Sequence, residues 1–364
     1  MKRKIHILFP SEWAAYSPTL LNLAEVLGKD CEIVVSCFDN GKYNNSGLDP
    51  VRFKMERLPY AMFALLAAFG LYDAYKKAML CYAIRREGTD ILIGVDNLGL
   101  AAALECTPKA HFLSLEISRN ALFNRLDWGR VASVAIQTQE RLNYLFPDRK
   151  PDNVFILPNS PRMSVGPQGC KPQDSYGMFN TVLLGNLIPS HGLYICIDAV
   201  AAMDKVVLTL KGNLSDNVRY DIELRYGSLL SSNRLLVDSS YTAQDGLIPY
   251  LSRFDAGFCF YDFDQLKKDF NYQSSPSGKM YAYMAAGVPT IGLDIVGLRP
   301  IREFDAGILL QEYSPTKICE AIDTLRQGHA RYRRGCFQAA RAFDFDSHAK
   351  LYKKYLLATM ANAS

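Results

Sequence analysis

Asn271-Tyr-Gln-Ser-Ser-Pro-Ser-Gly-Lys-Met-Tyr-Ala-Tyr-Met-Ala-Ala-Gly-Val-Pro-Thr-Ile291 carries the strongest structural signal in the chain. A polar loop with Pro276 and Gly278 feeds a helix that starts near Lys279 and stops at Gly287, and Pro289–Leu293 then reads as a buried strand. The start of such a helix presents free backbone N–H groups and the positive end of its dipole, which together favour an anion. Lys279 adds a full charge, and the hydroxyls of Ser275 and Ser277 add neutral donors. The plainer alternative is that Ser277 caps the helix and Lys279 is solvated.

The same strand–helix alternation extends in both directions. Upstream, strands are expected at Lys4–Phe9, Cys31–Phe38, Asp90–Val95, His111–Ile117, Val131–Gln137 and Val154–Leu157, with helices at Thr19–Leu27, Tyr60–Arg85, Leu98–Leu104 and Thr138–Leu145. After a Gly-, Pro- and Ser-rich linker at Gly166–Tyr176 the alternation restarts at Thr181–Leu184 and runs to a final helix near Ser347–Met360. Parallel strands need helix-length crossovers, so this pattern predicts an α/β chain of two Rossmann-like domains. The expected divisions are residues 1–164, 165–342 and a C-terminal helix, 343–364, that packs back toward the first domain.

Composition narrows the function classes. The 364 residues are 49% hydrophobic and 21% charged, with 41 basic against 37 acidic side chains. The excess is small, and no concentrated basic stripe suited to a nucleic acid is present. Nine scattered cysteines without a CxxC pair predict reduced thiols in a cytoplasmic protein and make zinc an unsuitable ligand. Tyr60–Tyr72 is uncharged but too short to span a bilayer. It reads either as a buried helix or as an interfacial one in peripheral contact with membrane, near Lys76, Lys77, Arg85 and Arg86. No GxGxxG follows a strand. Ser277-Gly278-Lys279 is not a P-loop, because Gln273 and Met280 stand where glycine and Ser or Thr are required.

Pro276–Ile291 resembles the "PSK-x-x-E-Y-M-A-A-G-x-P-V-I" signature of family-four GT-B glycosyltransferases. Leu183-Leu-Gly-Asn186 with His191-Gly192 resembles the opening of that family's sugar-nucleotide domain. Gln137–Arg141 and Leu157–Ser160 resemble the end of its acceptor domain, and Val296–Arg299 with Glu303–Leu309 the turn and strand after the signature. The resemblance implies two domains facing each other across a cleft. It also implies a nucleoside diphosphate sugar donor bound near Lys279, Gly278, Ser277, Ser275, Asn186, His191 and Glu303, a glycan or lipid-linked acceptor, and no bound metal.

Several residues depart from the family. Asn186 and His191 replace two cations, and Ala282 and Ser274 stand at the positions of its two glutamates. Lys211 is a candidate replacement phosphate cation, with an ordinary surface lysine as the alternative. Stereochemical outcome does not carry over, and a non-catalytic nucleotide-sugar binder and a sugar-nucleotide epimerase remain as rival readings. On the acceptor side Glu116, expected at the end of strand His111–Ile117, is the first candidate for a base and Asp96 the second, with a helix N-cap as the alternative role of each and the stronger alternative for Asp96. His6 is expected in the core. Asp262-Phe-Asp264 and Asp344-Phe-Asp346 match the DxD metal motif of the other glycosyltransferase architecture by spacing alone, and Asp346 reads better as a helix N-cap.

Overall fold

The computed structural model describes residues 2–41, 43–57, 60–162, 177–240, 242, 244–261 and 268–362. The expected linker at 166–176 and the pair Asp262 and Asp264 lie outside them. The chain divides into two compact units, one of residues 1–159 with 345–364 and the other of residues 160–344.

In the first unit seven strands form one sheet: β1 (Lys4–Leu8), β2 (Glu32–Asp39), β3 (Phe53–Arg57), β4 (Ile91–Val95), β5 (Ala110–Ser114), β6 (Val131–Ile136) and β7 (Val154–Ile156). Their order is β3-β2-β1-β4-β5-β6-β7, and every pairing is parallel. Ile5, Ile7, Val35, Ile93 and Leu113 are fully buried, as expected of strands covered by helices on both faces. The terminal helix Phe345–Asn362 belongs to this unit, where Phe345, Ala349, Tyr352 and Leu356 join the core around β1 and β2. Asp346 lies in that helix's first turn and not at its cap. His6 is buried, its Nε2 2.8 Å from Ser36 Oγ.

The second unit repeats the plan with β8 (Phe179–Asn186), β9 (Val206–Asn213), β10 (Leu235–Asp238), β11 (Ala256–Cys259), β12 (Thr290–Leu293) and β13 (Gly307–Leu310). The order is β10-β9-β8-β11-β12-β13, again parallel throughout. Ser314 caps the long helix Pro315–Ala342 by accepting from the Lys317 N–H at 3.3 Å.

Where β8 and β9 end, Gly185 and Gly212 lie opposite each other. Gly212 has φ +142°, and a Cβ there would come within 1.9 Å of the Gly185 carbonyl oxygen. Neither the strain nor the clash can be relieved without parting the strands. Gly212→Val is therefore expected to cost about 3 kcal/mol or more, read as a lowered denaturation midpoint for this unit.

Three expectations are corrected. Tyr60–Arg85 is not one helix: Tyr60–Ala68 and Tyr72–Glu87 are separated at Gly70, whose φ is +65°. The strand expected at His111–Ile117 stops at Ser114, so Glu116 lies beyond it. The edge strand β3 was not expected at all, since Phe53-Lys-Met-Glu-Arg57 is mostly half-buried and has little apolar run to reveal it.

Candidate active site

In each sheet the chain reverses its direction of travel once, between β1 and β4 in the first unit and between β8 and β11 in the second. Two crossovers diverge at such a point, and the strands' carboxyl ends leave a crevice suited to a ligand. The residues singled out above fall mainly at these two points.

In the second unit the helix Gly278–Ala286 delivers Lys279 to the ends of β8 and β11. Four residues on, and so on the same face, Tyr283 is fully buried. Its hydroxyl accepts from the Leu184 N–H at 3.0 Å and lies 3.3 Å from the carbonyl oxygens of Val182 and Phe258. That pins the helix to β8 and β11 and aims Lys279 along the same line. Tyr283 was missed in the sequence, although its i+4 spacing from Lys279 is the visible clue.

The Lys279 side chain lies against Gly185, where a Cβ would be 3.6 Å from its Cδ. The residue as a whole is half-buried, but Nζ itself is shut from solvent and has no hydrogen-bond partner. The Tyr261 ring centroid is 5.5 Å from Nζ. Burial pushes the lysine's pKa down, while nearby Cys259 and Cys196 act in the opposite sense. Burial also raises the pKa of both thiols, so they stay uncharged and supply no counter-ion. A buried ammonium left without an anion is costly, and it fits a site that an anionic group completes.

Ser275 and Ser277 hydrogen-bond the Tyr261 hydroxyl, whose pKa burial drives up. Ser277 occupies the N-cap position but makes no side-chain cap, contrary to its plainer reading, so it leaves the N–H groups of Gly278 and Lys279 uncapped. His191 joins the cluster: its Nδ1 is 3.0 Å from the Asn186 carbonyl oxygen and its ring stands edge-on to Tyr261 at 5.8 Å. Burial first, and the Lys279 charge second, lower its pKa to about 4, so it is neutral near pH 7. The Asn186 side chain is exposed at the end of β8.

Two expected donor residues stand apart. Lys211 is a buried lysine and not a surface one, but its ammonium is already engaged. Nζ lies 3.0 Å from Asp238 Oδ1, 2.8 Å from the Ser240 carbonyl oxygen and 4.7 Å from the Tyr250 ring centroid. Burial opposes ionisation of Asp238, yet hydrogen bonds from Ser240, Tyr250 and Lys211 hold its carboxyl well below the usual range. The pair ties β9 to β10 and leaves no charge over for a phosphate. Glu303 is exposed at the end of the short helix Arg299–Glu303.

In the first unit Asp96 follows β4 with no intervening loop. It is not an N-cap: Val95 holds that position, and Asp96 opens the helix Asp96–Cys106 with φ +51°. A non-glycine residue in this conformation is strained, and Asp is among the few that tolerate it. Its Oδ1 accepts from the N–H groups of Leu115 (2.8 Å) and Glu116 (2.9 Å). Burial and then the neighbouring Glu116 charge raise its pKa to about 7, against the pull of those two N–H groups. Glu116 itself is exposed. The buried Arg141 holds this turn by donating to the Leu115 carbonyl oxygen at 2.5 Å and to Gln137 Oε1 at 2.8 Å. The switch point thus presents a strained carboxyl that titrates near neutrality beside a second carboxylate. Among the described residues no group of three or more His, Cys, Asp or Glu is placed to hold a metal ion.

Two parallel-sheet units with strand orders of this kind make up the GT-B fold, and the chain has it. Solved structures share it over nearly their full length. HepE of Anabaena, in complex with UDP-glucose, has a TM-score of 0.70 at 13% identity, with 98% of this chain and 99% of that one covered. Sucrose-phosphate synthase from Thermosynechococcus elongatus has a TM-score of 0.65 at 14% identity, both chains covered completely. A UDP-N-acetylglucosamine 2-epimerase has a TM-score of 0.62 at 14% identity, covering 100% and 97%. Identities this low speak for the fold alone. No protein-family model matches the chain, and no curated protein matches it by sequence.

Proposed function

We propose that this protein is a glycosyltransferase that moves a sugar from a nucleoside diphosphate sugar to a hydroxyl of a glycan or lipid-linked acceptor, in bacterial surface-polysaccharide assembly. The observation that carries the reading is the Lys279 ammonium, buried at a switch point with no anion beside it. A diphosphate supplies the missing charge. As the sugar leaves, negative charge builds on that diphosphate, and the ammonium and the uncapped first-turn N–H groups stabilise it where it develops. The similar HepE structure holds UDP-glucose, which supports a nucleotide-sugar donor. Nζ is covered, so donor contact with it requires part of that cover, beside the exposed end of β8, to be displaced. On the acceptor side Asp96 takes the hydroxyl proton, with Glu116 raising its basicity. The free state of all eight described cysteines supports a cytoplasmic setting.

A non-catalytic nucleotide-sugar binder is the second reading. It is favoured by Ser274 and Ala282, which supply no carboxylate where the resembling family has its glutamates; Ser274 Oγ instead donates to the Phe270 carbonyl oxygen at 2.7 Å. One experiment addresses both readings. UDP, GDP, CDP, ADP and dTDP are screened by thermal shift, and a ligand at 100 times its dissociation constant is expected to add about 2.7 kcal/mol of stability. Diphosphate release from the matching sugar nucleotides is then measured with and without acceptor. Stabilisation with release supports transfer and stabilisation without release supports the binder, whereas no response to any nucleotide removes both.

A further inference from the structure

Residues 60–71 carry no charged side chain, and the Tyr60–Ala68 helix is apolar on every side. Such a helix is ordinarily wrapped in protein or lipid. Here the protein leaves it open: Leu65 is 59% exposed, Phe69 71% and Leu71 53%, and Met62 is exposed as well. The buried-helix expectation is therefore corrected.

The next helix is firmly seated. The Tyr72 hydroxyl donates to Glu12 Oε1, and Lys76 Nζ lies 2.7 Å from the same oxygen and 4.2 Å from the Tyr72 ring centroid. Burial works against the Glu12 charge, but its bonds to Lys76 and Tyr72 prevail and lower its pKa. Glu12 stands just after β1, so the base of the apolar helix is fixed to the switch-point edge of its unit.

Charge singles out the same segment. Residues 51–87 hold seven Lys or Arg against three Asp or Glu, which equals the entire +4 excess of the chain. Lys76, Lys77 and Arg86 are paired with Glu12, Glu105 and Glu87. Arg57 and Arg85 are exposed. A cavity of about 340 Å³ between this segment and β2 has Lys54, Arg57 and Arg86 on its wall against the single acid Glu56.

We propose that residues 60–71 lie in the headgroup region of a bilayer containing anionic lipid and dock the N-terminal unit on its surface. The nine helical residues Tyr60–Ala68 reach about 14 Å, short of the roughly 30 Å hydrocarbon core, and no described helix is long and apolar enough to cross a membrane. A rigid protein partner covers one stripe of a helix, whereas lipid at the headgroup–acyl boundary can close around whichever sides the protein leaves exposed. A second copy meeting this face would also bring its basic excess against itself. The arginines and the basic cavity wall meet lipid phosphates, each cation adding about fivefold to partitioning on an anionic surface.

The full chain is sedimented, without donor or acceptor, with phosphatidylcholine vesicles and with vesicles rich in phosphatidylglycerol. It is expected to pellet with the anionic vesicles about tenfold more strongly. Leu65→Glu with Phe69→Glu, both at exposed positions, is expected to abolish pelleting while leaving circular dichroism and nucleotide thermal shifts unchanged. Arg57→Glu with Arg85→Glu is expected to erase the anionic preference. The proposal is overturned if the native chain stays in the supernatant with both vesicles, or if the Leu65/Phe69 variant pellets like the native chain. A dimer by light scattering that this variant returns to monomer, without vesicle binding, assigns the face to a second copy instead.

Discussion

Lys279→Met is expected to make the unliganded protein more stable and much weaker in its response to nucleoside diphosphates. Methionine keeps the length of the side chain against Gly185 and removes a buried charge that has no partner. Leaving such a group unsatisfied costs about 1–3 kcal/mol, and apolar replacements of buried charges are often stabilising. The unliganded midpoint should therefore rise by several degrees. The same change deletes a charge-assisted contact worth about 1.5–3 kcal/mol, so donor use should fall roughly ten- to a hundredfold.

The pH dependence carries a matching sign. The Lys279 pKa is lowered in the fold, so between that value and the unfolded value the unfolded chain binds more protons. Unliganded stability then rises with pH through this window, while diphosphate affinity falls as the ammonium deprotonates. Both slopes vanish in the methionine variant. A variant that keeps the full thermal shift with the native protein's best nucleotide would place the diphosphate elsewhere.

Lys279 was legible because its setting is local. A Ser-Gly-Lys sequence entering a helix, followed by a glycine stop and an apolar strand, can be read within twenty residues. Lys211 looked equally suitable, but its partner Asp238 is on another strand, and no spacing links the two. The N-cap alternative for Asp96 failed for the same reason: its carboxyl belongs to the turn at Leu115 and Glu116, which the β4–β5 pairing brings beside it. The alternation of strands and helices, β3 excepted, was visible from periodicity, yet the apolar Tyr60–Ala68 helix shows that hydrophobicity alone does not say which side of the surface a segment occupies.

Asp96→Asn is expected to lower turnover about a hundredfold or more with little change in fold, within the usual range for loss of a general base. Asparagine tolerates the left-handed conformation at φ +51° and keeps an oxygen to accept the Leu115 and Glu116 N–H groups. What it loses is ionisation. With a pKa of about 7, native activity should climb through neutrality to an alkaline plateau, and the variant's residual activity should lack that limb. Stability moves the opposite way, since folded Asp96 holds its proton to higher pH than the unfolded carboxyl, near 3.9. The native protein therefore loses stability as pH rises between those values, whereas the asparagine variant does not and is the more stable above pH 7. Glu116→Gln serves as the comparison. Removing that neighbouring charge should shift the activity limb toward acid without erasing it, as expected of a residue that acts through Asp96. If Asp96→Asn retains both turnover and the neutral limb while Glu116→Gln loses them, the proton acceptor is Glu116, and the buried carboxyl serves only to shape the turn.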